Sequence, residues 1–275
     1  MARARKSEKS ERGGLIRFIL IVALLAWAVR SLVVAPFSIP SGSMLPTLFI
    51  GDYVAAAKWP YGYSRYSFPF QFPPIEGRIP SNLPERGDVV VFASPSGQGD
   101  DLVKRVIGLP GDTVEVANGR LILNGRPVPR GDMKPLAIPI SPNSPCRVVG
   151  GATAMVSGSG EDRACVYPTY LETLPGGASY TVIDQVEGGV ADTMAATKVP
   201  AGRLFLMGDN RDDSLDSRYL AAEGGIGMVP IDHVIGRAAI LFWSTDGSAS
   251  YVRPWTWFSA LRGGRIGNTL ASEGQ

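Results

Sequence analysis

The sequence predicts an all-β fold of antiparallel sheets that follows one N-terminal transmembrane helix. Three observations carry this. The 275 residues include 33 Gly and 22 Pro, so turns are frequent. The apolar runs of the body are short and bounded by turn residues, with no alternating long helices, which argues against a parallel α/β sheet. The single long apolar run lies near the N-terminus. A chain of this length can bury a full core. Its net charge of +2 gives no case for a nucleic-acid partner.

Residues 1–14, "MARARKSEKSERGG", are polar, with five Lys or Arg and two Glu. Phe18–Val29 is apolar without a break, and flanking Leu15, Ile16 and "SLVVAPF" extend it to residues 15–37. That length crosses a hydrocarbon core of about 30 Å. Arg17 and Arg30, near its ends, snorkel to the headgroups. The basic tail stays in the cytoplasm, so residues 38–275 face outward. A cleaved export signal is the rival reading. It requires a small-x-small site after the run, and "VVAPFSIP" offers only poor ones.

The body follows strand by strand. "RGDVVVFASP" (86–95) is a buried strand between turns, and "DLVKRVIGLPGDTVEV" (101–116) is two strands joined by a turn. "GRLILNGRPV" (119–128) is a hairpin closed by Asn124-Gly125. "AGRLFLMGDN" and "HVIGRAAILFWS" add two more strands. Two segments break the rhythm. Residues 60–84 are rich in Pro and aromatics, and form either a membrane-facing lip or a loop packed on the sheet. Residues 131–200 are Gly/Ala-rich and weakly patterned, an inserted subdomain or loop that carries both cysteines. Cys146 and Cys165 form a disulfide if this part is extracytoplasmic, or stay as two thiols. No CxxC pattern points to zinc.

Chemistry begins with what is scarce. The one histidine, His233, opens a strand and has no partner signal beside it, so it fits neither a Ser-His-Asp triad nor a metal site. A serine nucleophile here needs another base. Lys104 in "DLVKRVIG" shares a strand face with Leu102 and Val106, while Val103, Arg105 and Ile107 share the other. A free lysine has a pKa of about 10.4, and burial lowers it. Reaching neutrality takes roughly 4 to 5 kcal/mol of destabilised charge, within the range of buried lysines. Taken alone, the strand also fits a snorkelling lysine. "PSGSMLPTL" places Ser43 just after the apolar run. Gly42 lets the chain bend so that the Ser43 amide and the Ser41 hydroxyl can form an oxyanion hole, although "SGSM" also fits a plain polar turn. "GDNRDDSLDSR" (208–218) packs six ionisable groups into eleven residues. Counted from Asp209, Ser214 and Leu220 stand where a calcium loop needs Gly and Glu, so the run fits an Asp–Arg network instead.

These stretches, with "GDVVVF" and "VKRVIGLPGD", resemble in order and wording the signature motifs of bacterial type I signal peptidase, a Ser-Lys protease family. The match covers roughly 37–112 and 203–239. The resemblance implies Ser43 as nucleophile and Lys104 as general base. It implies Ser41 and the Ser43 amide as the oxyanion hole, and Ser214 as the serine that hydrogen-bonds and orients the lysine. Arg105, Asp209, Asp216 and Arg218 match structural ion pairs. Phe37, Ile39, Met44 and Leu48 match pocket walls for small residues at the cleavage site. It further implies a β catalytic domain at the outer face of a bacterial inner membrane, no metal or cofactor, and preprotein signal peptides and the lipid bilayer as partners.

Two departures stand out. Asp213 replaces the family's usual Asn, and "AAEGGIGMVP" replaces a shorter step before "VP". The runner-up functions are a dedicated processing peptidase of the same Ser-Lys type, for example for a pilus precursor, and an inactive membrane-anchored binder. A self-cleaving repressor would lack the anchor and carry a DNA-binding segment.

Overall fold

A computed structural model describes residues 2–95, 99–149, 155–250 and 252–270. It opens with helix α1 (Ala2–Ala28), which runs on through a wider turn, Val29–Val33. Strands follow in chain order: β1 (Val34–Ser38), β2 (Asp52–Ala57), β3 (Val89–Ala93), β4 (Asp101–Gly108), β5 (Thr113–Ala117), β6 (Arg120–Leu123) and β7 (Arg126–Pro127). Next come β8 (Lys134–Pro139), β9 (Met155–Ser157), β10 (Ala164–Thr173), β11 (Ser179–Ile183), β12 (Thr193–Lys198), β13 (Arg203–Met207), β14 (Val229–Pro230) and β15 (Val234–Ser244).

The stretch Gly14–Val33 has a mean hydropathy of 2.2 and is almost wholly exposed, as expected of an apolar helix without a protein partner. The helical part ends at Val33, short of the expected Phe37. Pro36 cannot donate to a helix, and Val34–Ser38 instead pairs antiparallel with β2.

The main sheet has the order β1-β2-β15-β3-β4-β13-β14. A second sheet runs β12-β5-β6-β7, and a third β11-β10-β8, with β9 also on β10. The fold is therefore the expected antiparallel β assembly. Asn124 and Gly125 both take positive φ, 54° and 73°, and close the β6–β7 hairpin as read from the sequence. The strand alternation of β4 also holds: Leu102 and Val106 join one apolar cluster, Ile107 another.

Residues 131–200 contribute to two sheets. β8, β10 and β11 form the third sheet, but β12 returns to pair with β5. Cys146 and Cys165 pair as a disulfide, with Cα atoms 5.3 Å apart. The aromatic segment divides. Tyr61 is buried and donates to Asp88, and Tyr63 donates to the Leu32 carbonyl at the helix end. Phe70 and Phe72 are 99% and 68% exposed.

Candidate active site

The turn Ser41–Thr47 between β1 and β2 carries the candidate nucleophile, and β4 carries the candidate base. Lys104 Nζ lies 2.5 Å from Ser43 Oγ. Ser43 is half-buried, and Lys104 is only 5% exposed. Burial pushes the lysine down to about 8, against the opposing pull of Asp216 and Asp209. The Ser41 hydroxyl is exposed, 3.5 Å from Ser43 Oγ. Among the described residues the Ser43 amide donates to no acceptor.

A second buried lysine shows that burial alone does not select the base. Lys58 is also pushed down to about 8, chiefly by burial and then by Arg30. Its amine is taken by the Ser67 carbonyl rather than by a nucleophile. His233 is occupied too: Nδ1 lies 3.1 Å from the Ala93 carbonyl and Nε2 3.2 Å from the Tyr66 hydroxyl.

The ion pairs form the frame. Arg105 grips Asp209 through two bonds of 2.8 and 2.6 Å, and its remaining donors reach the Gly87 carbonyl and Thr47 Oγ1. Thr47 in turn donates to Asp209 at 2.5 Å, tying the nucleophile turn to β4. Arg218 holds Asp216 at 2.9 Å from both nitrogens used, and Gly208 N donates to the same carboxylate. Burial would raise the Asp216 carboxyl, but Arg218 outweighs it and holds the group below its usual range.

Ser214 requires a correction. It is buried beside the nucleophile turn, yet among the described residues its Oγ has no hydrogen-bond partner, and the expected bond to Lys104 is not formed. The lysine amine is drawn to Ser43, while Ser214 packs against Gly208, whose added Cβ would meet it at 2.3 Å. Three of the four residues expected to wall a pocket lie in the apolar core. Ile39, Met44 and Leu48 are 4%, 1% and 0% exposed and pack with Val54, Val91 and Leu241. Phe37 stays half-buried and lines a cavity of about 490 Å³ with Lys58, Phe68, Asp101 and His233.

Several site residues were not singled out in the sequence. From inside quoted motifs, Asn210 bonds the Gly42 carbonyl of the turn, and Thr47, at the end of the turn, donates to Asp209. Arg147, from the inserted region, pairs with Asp213 at 2.5 and 2.9 Å and lies over Gly42. Asp213, the departure that adds a negative charge near the lysine, thus has its own cation. Glu172 pairs with Arg211 at 3.1 and 2.5 Å. No local motif marks Arg147 or Glu172, because both pairings span long stretches of chain.

The model of the family "Signal peptidase, peptidase S26" matches residues 12–243. The signal peptidase I of Rickettsia typhi is 33% identical over 236 residues, covering 83% of this chain and 78% of its own. That of Rickettsia akari is 35% identical over 239 residues, covering 83% and 77%. A solved signal peptidase I from Enterococcus faecalis is 26% identical and covers 57% of this chain and 97% of its own, with a TM-score of 0.28; the fold described above stands on this chain's own sheets. The chain belongs to the signal peptidase family, peptidase S26, and is a serine endopeptidase of the signal peptidase I type.

Proposed function

We propose that this chain removes signal peptides from exported preproteins with a Ser43–Lys104 dyad, while anchored in a bacterial inner membrane by one N-terminal helix. The observation that carries the dyad is the 2.5 Å approach of a buried, readily neutralised lysine to Ser43 Oγ. Neutral Lys104 takes the Ser43 proton as Oγ attacks the scissile carbonyl. The Ser43 amide and the Ser41 hydroxyl donate to the oxyanion. Collapse breaks the C–N bond, and the Lys104 ammonium returns its proton to the leaving amine. Water then attacks the acyl group, with Lys104 again as base, and Ser43 is regenerated.

Two free strand edges support an extended substrate. Among the described residues, β1 pairs with β2 alone, and β13 meets β4 at Arg105, Val106 and Gly108 alone. Among the described residues, Asp101–Lys104 therefore keep one edge unpaired, beside Ser43, for strand addition. Membrane attachment rests on the exposed apolar helix and the basic residues before it, which favour a cytoplasmic tail and an extracytoplasmic catalytic body. The helix end touches that body: Trp27 stacks on Phe68 at 6.3 Å, and the exposed Phe70 and Phe72 follow directly.

The test is incubation of the detergent-solubilised protein with a preprotein bearing an A-x-A site, with product termini read by mass spectrometry. The parent is expected to cut after the second small residue, and Ser43→Ala and Lys104→Ala to leave the preprotein whole. Retained cutting by Ser43→Ala would remove the serine assignment. A folded parent that cuts one partner only would point to a dedicated processing enzyme.

A further inference from the structure

Asn210 sits between the end of β13 and a short turn, and is fully buried. Its backbone N–H donates to the Ser43 carbonyl at 3.1 Å, and its side-chain Nδ2 donates to the Gly42 carbonyl at 3.1 Å. A carbonyl can only accept, so the side-chain amide must turn its nitrogen toward Gly42. The Gly42 carbonyl and the Ser43 N–H belong to one peptide plane. In a trans peptide these two groups point in opposite directions. Holding the oxygen inward therefore turns the Ser43 N–H outward, where among the described residues it meets no acceptor.

Gly42 calls for such a hold, because a residue without a side chain leaves the adjoining peptide easy to rotate; Leu45 N–H donates to the same carbonyl at 3.1 Å from within the turn, and Asn210 adds the hold from the neighbouring loop. The hold is itself rigid. Gly208 allows close approach, since a Cβ there would lie 2.5 Å from the Ser43 carbonyl. Asp209 is gripped by Arg105, its carbonyl accepts from Ile183 N at 2.9 Å, and Arg211 is locked to Glu172. Both neighbours of Asn210 are thus fixed, one of them by β11 from the inserted region.

We propose that Asn210 is a positioning residue: it fixes the Gly42–Ser43 peptide so that the Ser43 amide faces the oxyanion. The proposal rests on the reading of Ser43 as nucleophile. It predicts loss of transition-state binding with substrate binding preserved.

The full-length protein in micelles is assayed on a peptide with an A-x-A site, comparing the parent, Asn210→Ala, Asn210→Asp and Ser43→Ala. Both Asn210 variants are expected to lose roughly 100-fold in kcat, as for removal of one oxyanion donor, with KM unmoved; the pH midpoint stays put in Asn210→Ala and moves to higher pH in Asn210→Asp, whose carboxylate favours the Lys104 ammonium. Affinity for a peptide aldehyde, whose Ser43 adduct carries the same oxyanion, falls in parallel, and affinity for the product peptide does not. Parental kcat in the variants, or a loss confined to KM, would overturn the proposal. Should the variants not fold, 15N-serine labelling of the parent still decides: the Ser43 amide resonance must move on aldehyde binding, and one that stays put overturns it. Activity in Ser43→Ala would instead overturn the underlying reading, so the two failures are distinct.

Discussion

At the scale of the residue, Lys104 and Lys58 separate what burial does from what contact does. Both amines are pushed down to about 8, yet only Lys104 meets a hydroxyl that can attack. Neutralising Lys104 has a stability consequence. The unfolded chain takes up this proton below its ordinary value of 10.5, the folded chain only below about 8. Stability therefore falls as pH drops from 10.5 to 8 and stays lowered beneath that, by about 3 kcal/mol. Lys104→Met is expected to abolish cleavage while leaving the protein at least as stable at pH 7, which thermal unfolding checks. A lower unfolding temperature would contradict the account. Lys58→Met should keep the parental pH midpoint. At the same scale, Arg147→Gln leaves the Asp213 carboxylate facing Lys104 without its cation. A carboxylate favours the ammonium, so the activity midpoint moves to higher pH, and Asp213→Asn in the same chain brings it back.

At the scale of the element, the segment before Arg147 is stapled to β10 by Cys146–Cys165, which closes a separation of 19 residues. Replacing both by serine is expected to lower unfolding stability by about 3 kcal/mol, measured by denaturant titration in oxidising buffer. An unchanged midpoint would mean that Arg147 is held by its other contacts. Elements with a local signal were legible in the sequence: the β6–β7 hairpin through Asn124-Gly125, and β4 through its alternation. The inserted strands were not. β8 and β10 carry Pro135, Pro139 and Pro168 inside them, which demotes a strand when only local pattern is read. β12 finds its partner in β5, far back along the chain, and no local pattern announces such a pairing. The end of the apolar helix was hidden for a related reason. Val34, Ala35 and Phe37 are apolar enough for either solvent, and only the pairing with β2 assigns them to the sheet.

At the scale of the whole molecule, residues far apart in sequence meet because β4 lies between β3 and β13. Ser43, Lys104 and the 208–218 loop were each legible as candidates, and their convergence was implied by resemblance rather than by any single stretch. What stayed hidden was the second layer. Asn210, Arg147 and Glu172 act through contacts that only the assembled sheets create. The same assembly sets the cavity lined by Phe37 beside the end of the apolar helix, which also contributes Arg30 to its lining. Phe70→Ser with Phe72→Ser is expected to slow cleavage of a preprotein in vesicles while sparing a short soluble peptide. Equal losses on both substrates would remove the membrane role of that loop.

The central claim is that Lys104, not the single histidine, takes the proton from Ser43. The most direct measurement is the pH dependence of kcat/KM on a peptide substrate, for the parent and for His233→Ala. The account predicts one ascending limb with a midpoint near 8 in both proteins, since activity appears as Lys104 loses its proton. A limb centred near pH 6.5, where an ordinary histidine titrates, that vanishes in His233→Ala would contradict it.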